Sequence, residues 1–418
     1  MAYMKDKKGT RLDTFDVAPM IGMTAITAGD STVYIDTGNL SDSPLQAAAT
    51  AYTNGANANG MFAWMNAGLG HRITMKGNGG VPGDTSEQVL ARIDALMDAI
   101  PSDLVFVTAG LNDYAQGWAA SRTITALTAI YTKIRLRGRR PVTLTTQSRS
   151  TMNNTAGYSY LATVNQFIKN YARKTPGVIL ADTSSAVTDP ATGIPYISPF
   201  QTADGTHPNA IGAQNMGKVL ADALRPFLPA VDVFSSNNLD PLNYMRNACN
   251  LYTDGTVANG ITGTPGRQWG LSAGSGTVDC AVSKVARTDG LPGEWTRLTI
   301  GATNTANIIA SGGVWWDLTG AAGLKPGDVI TAAVEVRTSG LVGVSQFNGG
   351  AYHPNSQHLD LKGTWQQGSG PVKDGTYTLM VEGATIQAAA TYLQSRVSVT
   401  ATGGIVDIGR AAVFKTPA

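Results

Sequence analysis

The sequence predicts two units of different class: an α/β domain with a parallel sheet between layers of helices, then an all-β sandwich of jelly-roll type. Three observations carry this. Over residues 19–229 short apolar runs alternate with helical spacing, the pattern of βαβ units. After Pro229 the helical spacing stops, and β-rich runs separated by Gly and Pro turns replace it. A chain of 418 residues is also too long for one ordinary core.

Residues 1–18 read as a separate N-terminal segment. Expected strands of the α/β unit are Met23–Thr27, Arg72–Met75, Leu104–Thr108, Val142–Thr145 and Val178–Leu180. Between them, Val89, Leu90, Ile93, Leu96, Met97 and Ile100 mark one helical face, with Asp84 or Thr85 as its cap and Pro101 as its stop. Ile124, Leu127, Ile130, Tyr131 and Ile134 mark the next. Leu161, Val164, Phe167, Ile168 and Tyr171 follow, and Met216, Val219, Leu220, Ala223, Leu224 and Phe227 form the last. A Ser/Asn-rich stretch, 230–240, reads as the linker to a second domain at 241–418. There the expected strands are Val278–Val285, Trp295–Ile300, Val329–Val336, Thr376–Val381, Arg396–Thr400 and Ile405–Phe414.

Composition removes several function classes. Hydrophobic residues are 43% and charged residues only 14%, with 48 glycines, so the chain can fill cores and is rich in turns and polar β-surface. A net charge of +2 gives no pull toward nucleic acid. The basic run Lys133, Arg135, Arg137, Arg139 and Arg140 falls at a helix end, where cations meet the free carbonyls. No apolar stretch is long enough to insert in a membrane, and Met1 to Asp16 lacks the apolar core of a signal peptide. The two cysteines, Cys249 and Cys280, leave both a disulfide and two free thiols open.

Four short motifs fall where a parallel sheet collects its chemistry, beyond the carboxyl ends of the strands. They are Gly29-Asp30-Ser31, Gly80-Val81-Pro82-Gly83-Asp84-Thr85, Gly110-Leu111-Asn112-Asp113 and Asp204-Gly205-Thr206-His207-Pro208. A serine hydroxyl needs a base to become a nucleophile, and His207 can supply it. A carboxylate three residues earlier, Asp204, can hold the imidazole in the right tautomer. A tetrahedral oxyanion needs donors in place, and the N–H groups of Ser31 and Gly83 with the Asn112 amide are suitable. Singly, each motif has a plainer reading. Gly83-Asp84-Thr85 can be a helix cap, Asn112-Asp113 a loop, His207 a residue near a helix start, and Asp30 and Asp113 turn stabilisers. Their order and placement favour the chemical reading.

On these residues the chain resembles the SGNH hydrolase superfamily, the GDSL esterases and lipases, over about Met23 to Phe227. Ser31 fits the first block, Gly83 the second, Asn112 the third, and Asp204 with His207 the fifth. Gly83-Asp84-Thr85-Ser86-Glu87-Gln88-Val89-Leu90-Ala91-Arg92 is similar to bacterial esterase members. The resemblance implies a flavodoxin-like three-layer α/β/α fold and hydrolysis of esters without metal or cofactor. The first block reads Gly-Asp-Ser-Thr, without the Leu or Ile often found after the serine; Thr32 is expected to leave the chemistry unchanged.

The second domain loosely resembles jelly-roll carbohydrate-binding modules, through Gly293-Glu294-Trp295-Thr296-Arg297-Leu298, Lys325-Pro326-Gly327-Asp328 and Val406-Asp407-Ile408-Gly409-Arg410-Ala411-Ala412-Val413-Phe414. Trp118, near Asn112, can stack on a sugar or pack internally, and Trp295, Trp315, Trp316 and Trp365 suit a sandwich core better than a sugar site. His71, His353 and His358 sit in no ligand-like cluster. The appended sandwich and polar composition lead to an O-acetylated polysaccharide as the expected substrate. With no signal peptide expected, the corresponding setting is extracellular or virion-associated, as in a phage tail protein, with a homotrimer or attachment to a virion as the expected assembly. A lipolytic esterase or thioesterase, or a non-enzymatic glycan-binding tail protein, is the alternative.

Overall fold

A computed structural model of the chain describes residues 23–35, 60–189, 200, 204–228, 233–238, 240, 242–251, 254–314, 323–352, 365–366, 372–388 and 390–415. The expected N-terminal segment 1–18, Trp315, Trp316, His353 and His358 lie outside them.

The first part runs β1 (Met23–Gly29), α1 (Ser31–Tyr34), α2 (Met61–Gly68), β2 (Ile73–Gly80), α3 (Ser86–Ala99), β3 (Leu104–Val107), α4 (Leu111–Ala115), α5 (Ala120–Leu136), β4 (Arg140–Leu144), α6 (Thr155–Lys174), β5 (Ile179–Ala181) and α7 (Ala210–Leu224). The five strands are all parallel, in the order β2-β1-β3-β4-β5. That is the flavodoxin-like arrangement, whose strand order reverses between β1 and β3 and opens a crevice there. One apolar layer joins α3, α5 and α6 to Ile26, Ala28, Val105 and Val107. The other joins α2 and α7 to Ala25, Leu104, Phe106, Val142 and Leu144. Alternate residues of β1, β3 and β4 therefore feed opposite faces, and the three-layer α/β/α sandwich is complete.

Local sequence explains the helix starts. Thr85 and Gln88 form a capping box for α3: the Thr85 hydroxyl accepts the Gln88 N–H at 3.4 Å, and Gln88 Oε1 accepts the Thr85 N–H at 2.8 Å. Asn154 caps α6, and the Asn209 side chain caps α7 through the Ile211 and Gly212 N–H groups, both at 3.0 Å. The α7 cap is thus Asn209, so the plainer reading of His207 as a helix-start residue falls away. The basic run does close a helix. Lys133 and Arg137 pair with Asp94, Arg137 also with Asp98, and Arg139 donates to the carbonyls of Met97 and Ile100.

Two elements depart from the sequence reading, α2 by being unexpected and β2 by its length. Helix α2, MFAWMNAG, is apolar almost all round, so its spacing carries little period. Strand β2 extends to Gly80, beyond the expected Met75, through Gly77-Asn78-Gly79-Gly80. Here glycine is required by close approach. A Cβ on Gly80 would lie 2.4 Å from the Tyr34 nitrogen, and one on Gly79 would lie 2.4 Å from a Leu96 methyl.

The second part is a β-sandwich. Its strands are β6 (Thr256–Val257), β7 (Thr262–Gly263), β8 (Trp269–Ala273), β9 (Cys280–Ala286), β10 (Glu294–Ile300), β11 (Ile308–Gly313), β12 (Val329–Ser339), β13 (Gln346–Tyr352), β14 (Trp365–Gln366), β15 (Gly375–Thr385), β16 (Gln394–Thr400) and β17 (Gly404–Lys415). They form two six-stranded sheets, β15-β12-β17-β10-β9-β7 and β14-β13-β16-β11-β8-β6. Inward residues of both, such as Leu298, Val334 and Ile408 against Trp269, Ile308 and Val397, share one core. Trp295 is fully buried, under the guanidinium groups of Arg287 and Arg337 at 4.1 and 4.6 Å. Val233 and Phe234, within the stretch expected as a linker, pack on the outer face of the first sheet against Ala333, Met380, Ala412 and Phe414. Cys249 and Cys280 are both buried and are not joined to each other by a disulfide.

Candidate active site

The ends of β1, β2 and β3 and the loop before α7 converge at the crevice. Asp30 sits at the N-cap of α1 and accepts the Thr32 N–H at 2.9 Å, which fixes the turn carrying Ser31. Asp30 is buried, and that burial pushes its carboxyl up to about 6; the Thr32 hydrogen bonds and the nearby His207 pull the other way.

His207 arrives from the loop before α7. Its Nε2 lies 2.8 Å from Ser31 Oγ and its Nδ1 lies 2.6 Å from Asp204 Oδ2. With the ring proton on Nδ1, His207 donates to Asp204 and accepts from the Ser31 hydroxyl. The other Asp204 oxygen accepts the backbone N–H groups of Thr206, at 2.8 Å, and His207, at 3.1 Å. One carboxylate therefore shapes the turn and orients the ring. Gly205, at φ 62, takes the left-handed conformation that this three-residue spacing requires.

The remaining expected residues follow β2 and β3, the strands on either side of β1. Gly83 has φ 83 and open space around its missing Cβ, so the backbone angle rather than crowding demands glycine. Asn112, in the first turn of α4, donates from Nδ2 to the Asp84 carbonyl at 3.0 Å. That bond uses one of the two amide hydrogens and leaves the second. Arg92 donates to Asp84 at 2.8 Å and to the Gly29 carbonyl at 2.7 Å, tying the Gly83 segment to the end of β1. Asp113 does more than stabilise its own turn: it accepts bonds from Ser86 and Thr123, and so connects the Gly83 and Asn112 segments.

Three contacts had no signal in the local sequence. Asn78 donates to the Val33 carbonyl at 2.9 Å and holds the far end of α1. Gln147 donates to Thr32 Oγ1 at 3.3 Å and to the Thr206 carbonyl at 3.1 Å. Thr32 is therefore hydrogen-bonded into the site framework. Third, the Arg122 guanidinium covers Trp118 at 3.6 Å and pairs with both Glu87 oxygens at 2.8 Å, which gives Trp118 a packing partner. Among the described residues no group of three His, Cys, Asp or Glu is arranged to hold a metal ion, and no helix is long and apolar enough to cross a membrane.

No curated protein sequence matches the chain. Among solved structures, an α/β hydrolase enzyme, LAE5, from the metagenome of Lake Arreo aligns at 18% identity, covering 49% of this chain and 95% of that one, with a TM-score of 0.38. A member of the lipolytic protein G-D-S-L family from Veillonella parvula aligns at 17% identity over 49% of this chain and 99% of its own, with a TM-score of 0.38. The psychrotrophic esterase EstA from Pseudoalteromonas sp. aligns at 15% identity over 49% and 97%, with a TM-score of 0.37. Residues 28–214 match the model of the GDSL-like Lipase/Acylhydrolase family, a span that takes in Ser31, Gly83, Asn112, Asp204 and His207, and the chain thus carries a GDSL-like lipase/acylhydrolase domain.

Proposed function

We propose that this domain is a serine esterase with Ser31 as nucleophile, His207 as general base and acid, and Asp204 as the group that orients it. The observation that carries the reading is the hydrogen-bonded chain from Ser31 Oγ through His207 to Asp204 at the carboxyl end of β1. In acylation Ser31 Oγ bonds to the ester carbonyl carbon while its proton passes to His207 Nε2. The N–H groups of Ser31 and Gly83 and the Asn112 amide receive the oxyanion. The tetrahedral intermediate collapses, the ester C–O bond breaks, and the alcohol leaves with the proton from His207. Water, deprotonated by the same nitrogen, then releases the acid and restores Ser31.

For the substrate we favour an O-acetyl group on a polysaccharide, on the strength of the appended β-sandwich and the polar, weakly charged composition. Hydrolysis of p-nitrophenyl esters of increasing acyl length, with Ser31→Ala as control, tests both parts. The expected result is a preference for acetate and a loss of at least about a thousandfold in the variant. Near-normal turnover by Ser31→Ala would remove the assignment, and preference for long acyl chains would move the substrate to lipid esters.

A further inference from the structure

Ser31 and His207 stand 176 residues apart in sequence, yet their reacting atoms are 2.8 Å apart. Each belongs to a short turn held by its own aspartate, Asp30 for one and Asp204 for the other. Those bonds shape each turn but do not set the distance between them. A separate contact spans the two turns. The Gln147 amide nitrogen donates to the side chain that follows the nucleophile, Thr32 Oγ1 at 3.3 Å, and to the carbonyl that precedes the base, Thr206 O at 3.1 Å.

The bridge is built on a stiff support. Thr32 and Gln147 are 2% and 5% exposed. Beside Gln147, the Thr146 N–H donates to Asn165 of α6 at 2.7 Å, and Asn165 returns a bond to the Thr146 carbonyl at 2.9 Å. The Thr146 hydroxyl bonds the Ala109 carbonyl at 2.8 Å, and the Ser150 N–H reaches Gly205 O at 2.6 Å. The orientation of the amide is also determined. Its Oε1 is buried without a partner, and turning the amide over would press that oxygen against the Thr206 carbonyl. The donor end must face the two turns.

We propose that Gln147 is a positioning residue that, with Thr32, sets the separation of Ser31 and His207. The proposal rests on the esterase reading above. Neither side chain touches the reacting atoms; their effect passes through the two turns. Thr32, where the Gly-Asp-Ser motif is often followed by Leu or Ile, supplies the oxygen that makes the bridge polar. Small displacements at a nucleophile–base pair are costly in rate, and the loss belongs to the chemical step rather than to substrate binding.

The test uses the full chain with Gln147→Met, Thr32→Val, the double variant and Thr32→Ser. Two readouts are taken: the rate of covalent labelling of Ser31 by a fluorophosphonate, mapped by mass spectrometry, and kcat and KM on p-nitrophenyl acetate. Thermal midpoints are recorded alongside. Gln147→Met is expected to slow labelling and lower kcat by about tenfold, with KM within about twofold. Thr32→Val should cause a comparable loss, the double variant should be no worse than either single one, and Thr32→Ser should recover most of the rate. Wild type labelled at Ser31 with Gln147→Met labelled equally fast overturns the bridge alone. So do losses in Thr32→Val and Gln147→Met that multiply, or a loss that tracks the thermal midpoint across all variants. Wild type labelled at another serine, or at none, overturns the triad reading and this role with it.

Discussion

Asp113 is joined to Ser86 by two hydrogen bonds, the Ser86 N–H at 2.7 Å and the Ser86 hydroxyl, and it takes a third from Thr123 Oγ1 at 2.7 Å. Asp113 lies one residue after Asn112, and Ser86 lies three after Gly83. The carboxylate therefore fixes the spacing of two segments proposed to hold the oxyanion. Thr123 Oγ1, its own hydrogen on Asp113, lies 2.7 Å from the Tyr160 hydroxyl, whose single hydrogen has Thr123 and the Gly110 carbonyl, at 2.8 Å, as alternative acceptors. The network is closed and buried.

Replacing Asp113 by Ala leaves three donors facing a dry void. The expected cost is about 3–5 kcal/mol in urea unfolding. Asp113→Asn keeps the shape but must turn an N–H toward one of the donors, so its kcat on p-nitrophenyl acetate is expected to fall more than its stability does. An Asp113→Ala protein within about 1 kcal/mol of wild type would show that the carboxylate is not the tie described.

Asp30 and His71 make opposed contributions to stability over the same pH range. Burial raises Asp30 from 3.8 to about 6, so the folded state holds its proton longer, and stability from this group falls as pH rises from about 4 to about 6. His71 has its ring nitrogen Nε2 buried without a partner and is pushed down from 6.5 to about 4. The unfolded chain then binds the extra proton, and stability from His71 rises as pH rises from about 4 to about 6.5. Together they nearly cancel. Asp30→Asn should therefore give a protein whose stability climbs with pH across this window, and His71→Asn one whose stability declines. Urea unfolding at pH 4, 5, 6 and 7 checks both; slopes of the same sign in the two variants would refute the pairing.

The elements that were legible in the sequence share one property: their period or caps are local. Helix α3 carries Val89, Ile93, Leu96 and Met97 on one face, a Thr85 cap and a closing Pro101, and it forms Ser86–Ala99. Most expected strands of the sandwich fall in the sheet holding β9, β10, β12, β15 and β17, where Val and Ile runs are continuous. The facing sheet was mostly missed. Its strands β8, WGLSA, β11, IIASGG, and β13, QFNGGAY, are rich in Gly, Ala and Ser, and become strands through tertiary pairing rather than propensity. At the site the same division holds. Ser31, Asp204 and His207 sit in short motifs whose spacing is itself the signal. Gln147 touches Thr32 and Thr206 across 115 and 59 residues, and nothing beside it in sequence marks that.

Glu335 holds two arginines on the outer face of the sandwich. Its carboxylate meets Arg287 at 2.7 and 3.0 Å and Arg410 at 3.1 and 3.2 Å, and all three side chains are nearly inaccessible. The two cations hold Glu335 below the usual carboxylate range against the opposing effect of its burial. Glu335→Ala would take the Glu335 carboxylate from the buried Arg410 and leave Arg287 with Asp289 alone, at an expected cost of about 3–5 kcal/mol. Replacing the group together, Glu335→Leu with Arg287→Met and Arg410→Met, should recover much of that loss. A denaturant series on the four proteins checks it, and a triple variant as unstable as Glu335→Ala would show that the ion network itself is indispensable.

The two parts of the chain meet through an apolar contact, which predicts that they unfold together. Trp64 of α2 is 3% exposed and lies edge-on to Tyr377 of β15, with ring centroids 5.4 Å apart. Trp64, Ala67, Ala210 and Ala213 belong to the same buried cluster as the sandwich core. The Lys373 N–H adds a bond to Gln214 of α7. A hydrophobic contact of this kind resists the relative motion that polar domain junctions allow. Wild type should give one calorimetric transition, with intrinsic fluorescence and far-ultraviolet circular dichroism changing at the same temperature. Trp64→Ala removes the central ring at a cost of about 3–5 kcal/mol. It should split the transition in two, with the lower one assigned to the esterase domain by loss of hydrolysis after heating between the two midpoints. A single transition shifted as a whole would mean that the remaining contacts, Ala67, Ala210 and Ala213 with the Lys373–Gln214 bond, suffice to couple the two parts.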